Sequence, residues 1–432
     1  PDFALANSHV RNDPSWKVSP VPRRLQNRHV DIGDTAPCKT ERFHRALLSS
    51  AQGIQVDFDD GNCPTFFNQI KGIFNIYQVV HNKVSDNVKF AVIVIGIPPI
   101  SKVPVLMLRP RAWNMVEHNM MINGREVPGP LFDYGLLMYH TGRKLYESES
   151  GPFFYLSKVE SSLEAKLWND IFVWTENKLN LPVGSIKATV LIESVLASFE
   201  MEEILYELKE HSAGLNCGIW DYSASFVNKF GHRQEFLLPD RSKYVNMEKL
   251  FLKSYMDLLV QTCHRRGALA TGGMAALLLP ENRASQEYQN VIEAVTREAD
   301  QERVLTHGAQ QCSLYERNII SIPVCKLFQA HTKGPNQLHV IPDVTVSQSD
   351  LLSMPVGGVT LYGLKYNIAV GIQFIDAWFK GVDCAGSYMK VEDSATAEIS
   401  RSQVWQWIRH QVRLEEDNRT VTRSLVQSLV KE

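Results

Sequence analysis

The sequence has no C-x-x-C pair, no block of like charges, no low-complexity tract and no short internal repeat. Nor does any apolar run reach the ~18 residues that a membrane-spanning helix needs. Each absence removes a class of protein. Without a basic block there is no footprint for nucleic acid, and without an acidic tail there is none for a basic partner. Acidic and basic side chains nearly cancel, 47 against 45, so an anionic ligand has to be met by a local site and not by the field of the whole molecule. Cys38, Cys63, Cys217, Cys263, Cys312, Cys325 and Cys384 are scattered and odd in number, which reads as free thiols in a reducing compartment. No secretory or transit segment is visible at the start, although Pro1 stands where a Met is usual, and no Ser-Lys-Leu address closes the chain. These features predict a soluble intracellular protein with no membrane partner. They leave peroxisome, mitochondrion and cytoplasm undecided, and the oligomeric state open.

What is present is a chain of 432 residues, 44% hydrophobic, long enough to bury a core without disulfide or metal staples. Residues 1–44 are polar and proline-bearing and read as an irregular arm. Beyond them short β-like runs alternate with helical patterns. The strand candidates are 53–60, 103–111, 153–158, 185–193, 214–221, 268–274 and 387–393, with 304–307 a weaker eighth. Between them, 162–178, 199–211 and 247–265 carry apolar residues at helical spacing; in the first, Leu163, Leu167, Ile171 and Trp174 form the stripe. Such alternation predicts a parallel sheet covered by helices, and seven or eight units predict closure into a (β/α)8 barrel over 45–395. The stretch 80–100 reads as an insertion, and 396–432 as a C-terminal helical segment.

The strongest pattern is where charge falls. Several apolar strands end on a charged residue: Asp59 and Asp60, Arg109, Lys158, Glu193, Asp221 and Asp393. In a parallel barrel these ends share one face, which carries the active site. Glu193 and Asp221 end adjacent strands and suit a hard cation such as Mg²⁺, which takes one or two carboxylates plus water and substrate oxygens; an ion pair with Lys187, Arg109 or Lys158 is the competing reading. Gly218 lets a ligand approach the backbone, or merely eases strand–helix packing. Arg109 suits an oxyanion, or a salt bridge to Asp59 or Asp60. Asp393 precedes a helix start, and either caps it or serves as a general base. Arg265 and Arg266, at a helix end, complement its dipole or meet a phosphate-bearing cofactor. His211 and His264 read as packing residues, as do Trp405 and Trp407.

Taken together, the motifs resemble malate synthase, in its shorter A-type form. The runs that carry the likeness include Pro128-Gly-Pro-Leu-Phe-Asp133, Gly151-Pro-Phe-Phe-Tyr-Leu156, Ser185-Ile-Lys-Ala-Thr-Val-Leu-Ile-Glu193 and Leu238-Pro-Asp-Arg241. Gly214-Leu-Asn-Cys-Gly218 with Trp220-Asp221-Tyr222, Thr262-Cys-His-Arg-Arg-Gly267 and Glu392-Asp-Ser-Ala-Thr-Ala-Glu-Ile-Ser-Arg401 extend it along nearly the whole chain. The resemblance implies a TIM barrel with an N-terminal clasp and a C-terminal helical plug. It implies a Claisen condensation of acetyl-CoA with glyoxylate, then thioester hydrolysis to malate and CoA. Glu193 and Asp221 match magnesium ligands, and Gly218, Ile219 and Trp220 match the segment whose N–H groups hold the glyoxylate carboxylate. Arg109 matches the arginine that stabilises the enolate, Asp59 a glutamate that orients it, and Asp393 the base. This chain departs from the family at Ile219, where an arginine is usual, and at Asp59, Ser157 and Ala385–Ser387. It departs most at Arg303-Val-Leu-Thr-His-Gly-Ala309, where only His307 survives of an Ala-His-Pro-Gly segment near the CoA adenine. The plug also stops at Glu432, short of the family's extent. The metal, glyoxylate and base positions are kept while the acyl-CoA surface is altered. Two alternatives therefore stand beside an active malate synthase: a relative using another acyl-CoA, and a non-catalytic protein on the inherited barrel.

Overall fold

The computed structural model describes residues 2–3, 8–84, 89–90, 93–94, 96–275, 277–280, 282–299, 311–314, 334–381, 385–387 and 390–431. Eight parallel strands close into a barrel in chain order. They are β1 (Val30–Thr35), β2 (Gly53–Asp57), β3 (Val105–Arg109), β4 (Phe153–Leu156), β5 (Lys187–Ile192), β6 (Ser212–Cys217), β7 (Ala270–Ala275) and β8 (Gln311–Leu314). β1 and β8 seal the circle, with Val30 opposite Cys312 and Ile32 opposite Leu314.

Both faces of β1 to β6 are buried, so their apolar runs are continuous instead of alternating with polar residues. The pleat still sorts them. Val105, Met107, Phe153, Tyr155, Leu191 and Ala213 point inward and pack together with Leu25. Leu106, Leu108, Phe154, Leu156, Val190 and Ile192 point outward to the helices. Leu25 belongs to an arm segment held against the strand N-termini: the Arg24 guanidinium donates to Ile100 O at 3.1 Å and Ser150 Oγ at 2.8 Å, and also to Val103 O. The arm thus closes one end of the barrel and leaves the other free to form a site.

The barrel begins earlier than expected. Val30-Asp-Ile-Gly-Asp-Thr35, inside the stretch read as an irregular arm, is a fully buried strand. Its acids, including Asp31 beside Arg28, disguise it as loop; the two groups are 3.6 Å apart. Conversely, 387–393 is no barrel strand. Ala385–Ser387 and Lys390–Glu392 form a separate antiparallel pair. The weak eighth candidate, 304–307, lies outside the described residues, as does the departure at 303–309; β8 follows just after them.

The main helices are α1 (Phe66–Val80), α2 (Ser162–Lys178), α3 (Ile219–Phe230), α4 (Leu250–Arg265), α5 (Leu361–Phe379) and α6 (Ser394–Arg409). Ser161 caps α2 by accepting from Glu164 N, which fixes its start at the predicted place. Its predicted stripe faces outward, however: Leu163 is 77% exposed and Trp174 63%. The core face is Trp168 and Phe172, packed against Tyr134 and Phe154. The expected insertion contains a small hairpin, Lys89–Phe90 with Ile93–Val94. The C-terminal helices α5 and α6 form their own cluster around Val359, Leu364, Trp407 and Leu414. Trp407 Nε1 donates to Leu238 O at 2.8 Å, and Gln403 and Gln406 donate to Pro239 O and Phe236 O, tying the plug to the loop between α3 and α4. Among the described residues no helix is long and apolar enough to cross a membrane. Cys38, Cys63, Cys217 and Cys263 are buried thiols, not disulfides.

One backbone position anchors the β6–β7 step. Gly214 has φ +115°, and a Cβ there would lie 2.0 Å from Leu269 O. Gly214→Ala is expected to lower stability by about 3 kcal/mol or more, from both the left-handed backbone and the backbone clash. Denaturant unfolding of the purified variant measures it; a loss under 1 kcal/mol (, roughly a surface change) would contradict this packing.

Candidate active site

At the C-terminal ends of the strands lies a cavity of ≈ 210 Å³. Its walls include Asp34, Asp60, Arg109, Glu193, Gly218, Ile219, Trp220, Asp221, Arg241 and Asp393. Every candidate except Asp59 therefore meets in one place.

Arg109 ends β3 directly opposite Asp57 in the β2–β3 register. The pair is bidentate: Nε to Asp57 Oδ1 at 2.7 Å and Nη2 to Oδ2 at 2.6 Å. The same Asp57 carboxylate accepts from Asp59 N and Gly61 N, so the turn after β2 is wound around it. Asp60 and Asp34 stand 3.4 and 3.6 Å from Nη2. Burial works against the guanidinium charge, but Asp57, Asp60 and Asp34 more than restore it and hold Arg109 firmly protonated. The expectation that Asp59 orients this arginine is corrected. Asp59 turns away, accepting from Ala112 N at 3.2 Å and Lys158 Nζ at 3.0 Å, and Asp57 does the orienting.

Lys158, just past β4 with φ 53°, is a second, half-buried cation at the site. Its Nζ lies 2.8 Å from Asp60 Oδ1 and 3.6 Å from Asp221 Oδ2, and its N–H donates to Glu193 Oε1 at 2.7 Å. Burial raises Asp60, yet Lys158 and Arg109 pull it down to about 2. Glu193 and Asp221 go the other way. Burial raises both, Asp221 strongly, and the Glu193 charge adds to the rise at Asp221. Two carboxyls brought this close out of water call for a shared proton or a cation between them. Asp34, Asp57, Asp59, Asp60, Glu193, Asp221 and Asp393 outnumber Arg109, Lys158 and Arg241, which leaves the mouth short of positive charge. Oxygens of Asp60, Glu193 and Asp221 all come within 4.8 Å of one another, a fit for a hard divalent ion. Asp60 is already engaged by Lys158, Arg109 and the Ser394 hydroxyl, so Glu193 and Asp221 are the two with acceptor capacity to give.

Gly218 N-caps α3, and no side chain occupies the helix start. Its own N–H donates to Tyr255 Oη at 3.0 Å. Ile219 and Trp220, in the first turn of α3, have N–H groups with no acceptor inside the helix, and both residues line the cavity. A Cβ on Gly218 would come 3.1 Å from Glu193 Cβ and Oε2, so a larger residue there would press on the carboxylate beside it. Trp220 lies under the Arg241 guanidinium, 5.1 Å from its centroid, and Tyr366 flanks the same cation at 5.1 Å.

Asp393 fulfils the capping reading, and its side chain also faces the site. It caps α6, accepting from Thr396 N at 3.0 Å, and its carboxyl lines the cavity. Burial, then the Asp60 charge, raises it to about 6. Arg111 lies outside the cavity lining, bound to Asp133 and Glu117 at 3.0 Å. Arg266 is no phosphate ligand either. It pairs with Glu202, stacks on Trp16 at 4.0 Å and donates to Asp13 O, clasping the arm. His211 is a packing residue, as expected, bonded to Asn169 and Glu176. Sequence reasoning missed Asp34, Asp57 and the roles of Lys158 and Asp60. The signal available for Lys158 and Asp60 was charge at a strand end; Asp57 differs from Asp59 only by register.

Comparison with known proteins follows the same lines. Residues 105–354 match the family profile described as malate synthase, TIM barrel domain, and 358–432 match malate synthase, C-terminal. The chain belongs to the malate synthase family. Malate synthase of Myxococcus xanthus is 43% identical over 98% of this chain and 76% of its own length. That of Dictyostelium discoideum is 41% identical over 97% and 77%. The chain thus spans about three quarters of these malate synthases. Two solved structures of Haloferax volcanii malate synthase share the fold. The one described as a pyruvate/acetyl-CoA ternary complex has a TM-score of 0.52 at 13% identity, covering 87% of this chain and 89% of its own. The magnesium/glyoxylate complex gives 0.51 at 12%, covering 94% and 97%. The expected barrel and family both hold.

Breaking the Arg109 pair separates the two acids of the β2 turn. Asp57→Asn is expected to cost about 3 kcal/mol of stability, because it leaves a buried guanidinium poorly compensated. Asp59→Asn leaves that pair intact and is expected to cost under ~1.5 kcal/mol. Denaturant unfolding of both variants side by side checks the order; a larger loss for Asp59→Asn would restore it as the orienting acid.

Proposed function

We propose that this chain catalyses the condensation of acetyl-CoA with glyoxylate, with hydrolysis of the malyl thioester to malate and CoA. The observation that carries the proposal is the meeting of Glu193, Asp221, Arg109, Asp393 and the uncapped start of α3 in one buried cavity. Glu193 and Asp221 would hold Mg²⁺, as two buried carboxyls with oxygens within 4.8 Å of each other invite. Bound there, the ion supplies Lewis-acid polarisation of the aldehyde and a template for glyoxylate.

The chain's own residues do the rest. The N–H groups of Ile219 and Trp220 receive the glyoxylate carboxylate at the positive end of α3. This narrows the predicted trio, since Gly218 N–H is already given to Tyr255. Asp393 takes a proton from the acetyl methyl group. A carboxyl raised to about 6 is more basic than an exposed aspartate yet still ionised at neutral pH. Arg109, locked by Asp57, offers its guanidinium to the enolate oxygen as charge develops there, and a donor fixed beforehand reorganises little during the reaction. The buried thiols support an intracellular setting.

Thiol release from acetyl-CoA is expected only when Mg²⁺ and glyoxylate are both present; no release from the native protein overturns the proposal. Asp393→Asn is expected to lower kcat by ~10² to 10⁴ while Mg²⁺-dependent glyoxylate binding persists by calorimetry. Full activity in that variant would remove Asp393 as the base. Because the base works ionised, kcat falls as pH drops through about 6. Mg²⁺ in the mouth lowers that midpoint, so a wild-type limb well above pH 6 would contradict the assignment. Gly218→Ala, which crowds Glu193, is expected to weaken Mn²⁺ or Mg²⁺ binding about tenfold, the size of a disturbed metal-site neighbour.

A further inference from the structure

We infer that Tyr255 is a positioning residue for the metal site: its hydroxyl, set between the ends of β5 and β6, fixes the gap across which Glu193 and Asp221 face each other. The inference rests on the reading of those two acids as Mg²⁺ ligands. Tyr255 lies on α4 and is wholly buried. It reaches the residue before one ligand and the turn that carries the other. Its hydroxyl donates to Ile192 O, at the last residue of β5 before Glu193. The same oxygen accepts from Gly218 N at 3.0 Å, at the N-cap of α3. Its ring stacks on Tyr222, the chain neighbour of Asp221, with centroids 4.0 Å apart and planes 8° from parallel.

The β5–β6 register gives that hydroxyl its meaning. Ala188 N donates to His211 O, and alternate residues of a parallel strand bond to a given neighbour. On the side facing β6 the bonding residues of β5 are therefore Ala188, Val190 and Ile192. Cys217 stands opposite Ile192, so Ile192 O is due to receive the next N–H along, that of Gly218. The tyrosine oxygen stands in that place, one atom inserted into the ladder. A direct rung would draw the nitrogen and the carbonyl oxygen to about 2.9 Å. The bridge holds them farther apart, where the two strands hand over to Glu193 and to the first turn of α3. Little room is spare there, since even the Cβ that Gly218 lacks would lie 3.1 Å from Glu193 Oε2. A site that closed by the width of the bridge would press the start of α3 onto that carboxylate. Mg²⁺ tolerates such a change poorly, because it demands a near-ideal octahedron of short bonds.

Tyr255→Phe removes the bridging oxygen and keeps the ring on Tyr222. Calorimetric titration of this variant with Mg²⁺ alone is expected to show affinity about tenfold weaker than in the wild type, the size of a disturbed metal-site neighbour. Ca²⁺, which accepts longer and more variable bonds, is expected to lose under about threefold when titrated alone. At saturating Mg²⁺ kcat stays within about twofold of wild type, so the loss appears in the Mg²⁺ requirement and not in turnover. Tyr222→Phe trims the other ring of the stack without touching the bridge, and is expected to keep both affinities. Unchanged Mg²⁺ affinity in Tyr255→Phe, an equal loss for the two ions, or the same loss in Tyr222→Phe each overturn the inference. A wild type that binds no Mg²⁺ removes the functional reading and this inference with it. A wild type that binds Mg²⁺ no better than Tyr255→Phe does removes this inference alone.

Discussion

Arg109 grips Asp57 inside a mouth where a lone guanidinium would be costly to bury by several kcal/mol. The other groups are arranged around that grip. Because Asp57 also receives the backbone N–H groups of Asp59 and Gly61, the same carboxylate shapes the turn that carries Asp59 and Asp60. Lys158 then takes up those two acids from the far side. The result is a graded field. Asp60, between the two cations, stays ionised at low pH, whereas burial raises Glu193, Asp221, Asp34 and Asp393. One pocket thus sets firmly ionised carboxylates beside carboxyls that hold their protons more tightly.

Much of this was legible along the chain. Strands that run apolar and stop on a charge, such as those ending at Arg109, Glu193 and near Asp221, announce a parallel barrel with a loaded rim. What escaped did so for physical reasons. β1 mixes Asp31 and Asp34 with Val30 and Ile32, and only the burial of those acids beside Arg28 and Arg109 makes a strand of it. The 387–393 run has strand-like residues followed by a helix start, just as the barrel units do. Pairing with Ala385–Ser387, a tertiary fact, removes it from the barrel. The choice of Asp57 over Asp59 depends on the β2–β3 register. In α2 the stripe at Leu163, Leu167 and Trp174 looked as good as the true core face, because helical spacing alone does not say which of two apolar faces meets the sheet.

The departures at Ile219 and Asp59 fit the geometry without disturbing it. Backbone N–H groups at the start of α3 do not depend on the side chain at position 219. The shorter acid at position 59 serves Ala112 and Lys158, not Arg109. Asp34 has no counterpart among the sequence-derived candidates, yet it is as deeply placed as any of them.

Ser394 donates to the Asp60 side chain across 334 residues of sequence. The rim of the cavity is therefore stitched from segments far apart along the polypeptide. During synthesis β2 and β3 emerge long before α6, so the acidic mouth stays half-built until α6 has emerged and docked against it.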